Sequence, residues 1–262
     1  MTLTQECIYI GLLVLGILAT FATAGLLLWL CSFSRFAPFF QSLHNLSPQV
    51  VAIVGILFAL YTTFFASDIW NIRDRAQTAI QQEAEALRSL FRLAEQQSPE
   101  IGMPIITALR DYARVTIQVE WPLLAQGQPA SAQGLDAWRQ LLRAVLAPPV
   151  VNGVPTSVHA VLLQEVERVQ AARYQRLTQS QKHGDPLKWF AVACLGAFTL
   201  LTVALIHLDN WRTQLAALLI YSAAISVSFT AAYLQRSPFQ VFVVSPQPIA
   251  ELITTASLLD QQ

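Results

Sequence analysis

The chain has 262 residues, of which 54% are hydrophobic and 12% charged, about half the charge of an ordinary soluble domain, and that shortage calls for an apolar solvent. Lys plus Arg and Asp plus Glu balance at 16 each, so no basic field exists to hold nucleic acid, and no run of like charges forms a tail. The charges are segregated, with 24 of them between Asn71 and Lys188. A polar middle is therefore flanked by two apolar ends, and the lipid bilayer is the expected partner.

Four stretches carry no charged residue: Ile8 to Leu30, Val50 to Ala66, Trp189 to Ile206 and Leu215 to Leu234. As helices they reach about 26 to 34 Å, enough for a hydrocarbon core of about 30 Å. The first could instead be a signal peptide, since Ala22-Thr23-Ala24 has the form of a cleavage site. Its leader holds Glu6 and no Lys or Arg, and apolar residues run on through Trp29, so a retained span is the expectation. The second span is expected to run on through Asp68 to Trp70, into an interfacial belt with Trp29, Trp189, Trp211 and Tyr233. Cys7 and Cys31 flank the first stretch and Cys194 lies in the third. An odd number without CxxC spacing gives neither a disulfide framework nor a zinc site, only small apolar fillers.

With four spans, both termini and residues 71–188 share one side. That side carries Arg73, Arg75, Arg88, Arg173, Arg176, Lys182, Lys188 and Arg236 near the span ends, against Arg35 and Arg212 on the other. The positive-inside rule therefore predicts a cytoplasmic middle and cytoplasmic termini. Within the middle, Ile72, Ala76, Ile80, Leu87, Phe91 and Ala94 recur at helical period. No Pro or Gly follows Gly55 in this stretch, so the second span is predicted to continue unbroken as one long helix.

Further helices are predicted over Pro104–Glu120, Leu135–Leu146 and Thr156–Ser180, with Pro122 and Pro148 after ends. The last carries Val158, Leu162, Val166, Val169 and Leu177 on one side, for packing within or between subunits. Gly184-Asp185-Pro186 should break the chain before the third span. Beyond the fourth, Pro238-Phe239 and Val241 to Val244 look extended, and a short amphipathic helix is expected from Ser245 through Leu259. The fold class is all-α, with four transmembrane helices and a helical cytoplasmic domain between spans 2 and 3. Its segments are 1–70 (spans 1 and 2), 71–188 (cytoplasmic), 189–234 (spans 3 and 4) and 235–262 (cytoplasmic tail).

Hydrolase, kinase, dinucleotide and zinc-protease motifs are absent. His44, His159, His183 and His207 show no metal-ligand spacing, so no catalytic residue, metal or cofactor is expected. Glu83 and Glu85, and likewise Glu165 and Glu167, are two apart on helices and are expected to form a wet face with Arg88 and Arg168. The spans hold no ionisable residue that would mark a proton or substrate path. They hold hydroxyls instead, at Thr62, Thr63, Thr199, Thr202, Ser222, Ser226 and Thr230, suited to close helix packing or to a wet pore wall.

Asp68-Ile69-Trp70 followed by Glu83 and Leu87 resembles the pore-helix signature of bestrophins. A closer resemblance is to the bacterial bestrophin-like domain family, carried by Glu83 to Leu87, Tyr112 with Glu120-Trp121-Pro122, Arg173 to Leu177, and Pro238-Phe239 with Ser245-Pro246. It covers roughly residues 45–255. The resemblance implies a homo-oligomeric, pentameric ion channel in the bacterial inner membrane, passing small ions such as chloride or bicarbonate. It implies a pore lined by the second span, with an apolar neck at Ile53, Leu57 and Tyr61 that gates by dewetting, and a pore-helix junction at Asp68, Trp70, Glu83 and Leu87. Ile69 and Asn71 stand where bestrophins carry Arg and a second Trp. The acidic calcium cluster of animal bestrophins has no counterpart, since Glu251 and Asp260 stand alone. Calcium gating is thus not implied, and charge selectivity is left open. The order of spans also suits a motor-stator-like energy-coupling subunit, against which the uncharged inner spans argue, or a non-conducting scaffold or sensor.

Overall fold

The structure, a computed structural model, describes residues 3–42, 48–128, 131–180, 186–235, 239 and 244–252. Its elements are α1 (Leu3–Ser32), α2 (Ala37–Gln41), α3 (Pro48–Glu95), α4 (Pro99–Val115), a π turn (Thr116–Glu120), α5 (Trp121–Ala125), α6 (Ala132–Val145), α7 (Pro148–Gly153), α8 (Thr156–Ser180), α9 (Pro186–Ile206) and α10 (Trp211–Gln235). A further helical stretch covers 247–252, and no strand occurs among the described residues. By length and composition, α1, α3, α9 and α10 can cross a membrane. The break at Gly184-Asp185, the stretch Val241 to Val243, the tail beyond Leu252, Pro238, Lys182, Arg236, His44, His183 and the Cys7 side chain lie outside the described residues.

As the missing breaker implied, α3 is one helix of 48 residues. The chain divides into two compact units, residues 1–70 with 184–236, and residues 71–183 with 237–262. In the first, Ala24 and Cys31 of α1 pack with Leu200, Val203 and Ala204 of α9 and with Leu218 and Ile225 of α10. Phe65 and Ile69 of α3 join Val192 and Ala232, and the Phe65 and Trp189 rings meet edge-on at 4.7 Å. Several polar groups here are absorbed locally. Thr63, Thr199 and Thr202 each donate to the carbonyl four residues back, which removes a hydroxyl from lipid at little cost. Gln214, fully buried, donates to the Ala204 carbonyl at 2.8 Å and accepts from Ser32 Oγ at 2.8 Å, tying α10 to α9 and α1. Ser222 and Ser226 are buried, the close-packing alternative for those two hydroxyls.

In the second unit the expected α3 stripe is buried from Ala76 through Ile80, Leu87, Phe91 and Ala94, with Ile72 only half-buried, and packs with Ile105, Leu109 and Tyr112 of α4, Leu141 of α6 and Leu162, Val166 and Val169 of α8. Phe239 closes on Trp121, the rings edge-on at 5.5 Å. Several boundaries differ from expectation. α4 starts at Pro99, not Pro104, which lies inside the helix. The start signals are Ser98 in extended conformation, Pro99 in the first turn and Glu100 after it. Burial of Ile105, Ile106 and Leu109 outweighs the one backbone bond that Pro104 forfeits. α6 starts at Ala132, where the Ser131 hydroxyl accepts from Gln133 N at 3.0 Å and Gly134 N at 3.4 Å. The helical path does not stop at Glu120 but passes through the π turn into α5.

Gly102 shows how tightly α4 is set against the end of α3. A β-carbon there would lie 2.3 Å from the Ala94 carbonyl oxygen, backbone that cannot give way. Gly to Ala in a helix ordinarily stabilises by about 0.5–1 kcal/mol, but here overpacking, worth about 1–3 kcal/mol, decides the sign. Gly102→Ala should therefore lower the thermal midpoint of the detergent-solubilised protein. Gly11→Ala, where the added carbon meets nothing within 4 Å, should leave it unchanged or higher.

Candidate functional site

The sequence-predicted residues fall into two groups along α3. In the first unit, Ile53 and Leu57 are 59% and 50% exposed within the single chain, on an uncovered stripe with Ile56, Leu60 and Phe64. Tyr61 is half-buried against the Phe65–Ile69 cluster. Residues four apart drift by about 40° per step around a helix, which carries Tyr61 from the open stripe to its edge. Asp68 is exposed and ion-paired with Lys188 at the start of α9, and Trp70 is 53% exposed.

The second group lies in the other unit, and there the expected wet face is corrected. Glu83 is fully buried. Positions two apart are separated by about 200° around a helix, so Glu83 and Glu85 cannot share a face once one side is packed. Glu85 stays in solvent while Glu83 turns inward, one turn from the buried Leu87. Glu165 is likewise buried, its carboxylate meeting the exposed Arg168 at 2.9 Å, while Glu167 stays exposed.

Glu83 is held by a fork. Arg176 Nε donates to Glu83 Oε2 at 2.7 Å and Arg176 Nη2 to Oε1 at 3.1 Å, and the Tyr112 hydroxyl donates to Oε1 at 2.5 Å. Arg176 Nη2 also reaches Glu120 Oε2 at 2.9 Å. Glu120 in turn accepts from Arg173 Nε at 3.2 and 3.3 Å and is ion-paired with Arg173 Nη2. Two carboxylates thus balance two guanidiniums among groups with almost no exposure. Burial works against the charge of Arg176, but the Glu83 carboxylate overrides it and holds the guanidinium above its ordinary pKa. Burial, and then the Glu83 charge, push the Tyr112 phenol well above its ordinary value, so it stays a neutral donor.

The backbone positions these groups by an irregularity. At the end of the π turn the Trp121 N–H reaches back five residues to the Thr116 carbonyl. Pro122 follows, with no N–H for an ordinary helical bond, and the wider turn leaves Glu120 inward. Gly134 seals the cluster from α6. A β-carbon there would sit 1.9 Å from Glu120 Oε1 and 2.9 Å from Arg173 Nη2. Sequence reasoning used Tyr112, Glu120, Arg173 and Arg176 only as marks of family resemblance or of orientation, with no place in a site, and did not name Gly134. The available signal was two arginines three apart on the stripe that α8 buries through Val166 and Val169. Among the described residues no group of His, Cys, Asp and Glu is placed to hold a metal ion.

Removing one partner of a buried ion pair costs about 3–5 kcal/mol, because the other charge is stranded. Glu83→Ala should therefore destabilise by about that amount in thermal or denaturant melts. Asp111→Ala, which breaks only the exposed pair with Arg114, should cost less than about 1 kcal/mol. Gly134→Ala should behave like Glu83→Ala. Equal effects for the buried and exposed pairs would contradict this assignment.

A search of curated proteins finds no match. Among solved structures, a point variant of a bacterial bestrophin homologue from Klebsiella pneumoniae aligns with TM-score 0.70 at 10% identity, covering 96% of this chain and 97% of that one. A second variant of that homologue gives TM-score 0.65 at 11% identity, over 95% of this chain and 99% of that one. A variant described only as a membrane protein gives TM-score 0.69 at 11% identity, over 95% and 97%. At these identities the likeness is one of fold. The family model of the bestrophin-like domain matches residues 18–249. With most of its length so matched, the chain belongs to the bestrophin-like family.

Proposed function

We propose that this protein is the subunit of a homopentameric channel through which small ions, chloride or bicarbonate among them, cross the bacterial inner membrane passively. The pore is lined by the membrane part of α3, with its apolar neck at Ile53, Leu57 and Tyr61. Residues 71–188 and both termini lie on the cytoplasmic side, as the positive-inside distribution favours, and Asp68, Trp70, Glu83 and Leu87 form the junction through which α3 leaves the membrane. The observation that carries the reading is membership of the bestrophin-like family over residues 18–249.

The uncovered stripe on α3 supports it. Between Val50 and Ala66 the helix has no charge, and Ile53, Ile56, Leu57, Leu60 and Phe64 are exposed in the isolated chain. Copies arranged about an axis give this stripe a constriction that water leaves when narrow and enters when wide. The spans offer no ionisable relay for coupled transport, which favours passive flux.

Purified protein in liposomes should release small ions down their gradients, and Leu57→Ala, which widens and wets the constriction, should raise the rate. Native mass spectrometry should give five copies. No flux of any small anion or cation from a folded pentamer would sink the channel reading, and a monomer would exclude a central pore.

A further inference from the structure

Small residues in a membrane span ordinarily mark where two helices close on each other. In the membrane unit some of them line an opening instead. Gly16 and Ala19 of α1 and Ala193, Gly196 and Ala197 of α9 border a groove of about 270 Å³, and a β-carbon at Gly16 would meet nothing within 4 Å. Thr20 and Thr23 in the same wall turn their hydroxyls to the Gly16 and Ala19 carbonyls, at 3.0 and 2.8 Å, which leaves the wall apolar. A smaller space of about 60 Å³ adjoins it, sharing Gly16 and Phe229 and reaching Trp189 and Tyr233. From Thr23 to Leu12 the two follow α1 for about 16 Å, one leaflet of a hydrocarbon core about 30 Å thick. One hydroxyl in this lining is unmatched. Ser226 of α10 borders the smaller space, is 6% exposed, and its Oγ has no hydrogen-bond partner. A buried donor left unmade is costly, so it calls for an acceptor from outside the chain.

We propose that this groove holds one acyl chain of a phospholipid, entering between Trp189 and Tyr233, with the Ser226 hydroxyl donating to an ester carbonyl of that lipid. Trp and Tyr are residues of the membrane interface. Ser226 precedes Tyr233 by seven residues, about 10 Å along α10, which sets its hydroxyl beneath an interfacial layer about 5–8 Å thick, at the depth where acyl chains begin. A helix of a second copy is too wide for the space, since one turn of a cylinder 10 Å across takes about 420 Å³. A single methylene chain fits between Gly and Ala walls, and the bilayer supplies it from the open side, where Ala193 and Ala197 are exposed. Among the described residues none of α3 borders the groove, so the lipid site stands or falls apart from the channel reading.

The test is photolabelling of the full chain in liposomes that contain a phosphatidylcholine with a diazirine on one acyl chain, the labelled residues being located by mass spectrometry. Label should concentrate at Gly16, Ala193 and Ala197 over Leu15 and Leu18, which are 61% and 59% exposed on α1. Gly16→Leu and Ala197→Leu, which fill the groove from opposite walls, should each remove the groove label and leave that at Leu15 and Leu18, so one variant that fails to fold does not remove the test. Unlabelled ester-linked phosphatidylcholine should displace the probe at a mole fraction about two- to tenfold lower than its ether-linked analogue, the effect of one hydrogen bond. Ser226→Ala should erase that difference. Label spread evenly over the exposed faces of α1, and unmoved by both filling variants, would reduce the groove to bulk lipid contact and overturn the proposal. Copies of a Gly16→Cys variant that crosslink to one another through position 16, with no label in the groove, would give it to a second chain and overturn the proposal as well. Equal displacement of the probe from the wild-type protein by the ester and ether lipids would overturn the assignment of Ser226.

Discussion

The arrangement of residues 71–183 depends on one electrically balanced interaction, in which the Glu83 and Glu120 carboxylates share the Arg176 guanidinium and Glu120 also holds Arg173. Apolar stripes such as that of α8 tolerate sliding by a turn, because one aliphatic neighbour serves nearly as well as another. A bidentate fork does not. With Arg176 locked on Glu83 and Arg173 on Glu120, α8 has one register against α3 and against the π turn, and the apolar contacts of Leu162, Val166 and Val169 follow from it. The cost of drying four charges is met only while all four are present, since each partner lost strands another.

The irregularities of the backbone serve the same interaction. A regular helix from α4 onward would rotate Glu120 by about 100° for each residue of shift. The π turn, terminated by the Trp121-to-Thr116 bond and followed by Pro122, supplies the displacement. α6 approaches so closely at Gly134 that any side chain would enter the Glu120 carboxylate, and the positive first turn of a helix suits that neighbour. A residue that looks like a weak point in a helix is here what the packing needs.

Much of the fold was legible from the chain. The four spans follow from the absence of charge, and the length of α3 from the absence of Pro and Gly between Gly55 and Glu95. What was not legible depends on packing. Spacing shows that Glu83 and Glu85 point apart, but not which of the two is dried. Pro104 reads as a helix start until burial of Ile105 and Leu109 outweighs its missing donor, and α2 and α7 are too short for periodicity to register. The candidate neck was legible only through family resemblance. A residue facing lipid, another subunit or a pore would be apolar and uncharged alike, so composition alone cannot separate Ile53 and Leu57 from their neighbours on the same helix.

The two units handle buried polarity in opposite ways, and this limits what the protein can do. Among residues 71–183 the buried Glu83 and Glu120 carboxylates are matched by the buried Arg173 and Arg176, and buried Glu165 meets the exposed Arg168. In the membrane unit, the Thr63, Thr199 and Thr202 hydroxyls turn back on their own helix, Gln214 finds a carbonyl and a serine, and the charge pair Asp68–Lys188 stands at an edge rather than inside. A relay that binds a proton or substrate and passes it on needs ionisable or inward-facing polar groups at depth. On the channel reading, ions therefore cross the apolar stretch with their own water, and the protein acts on them by width at the neck. On that reading the control lies on α3, one helix whose charged half is fixed by Glu83.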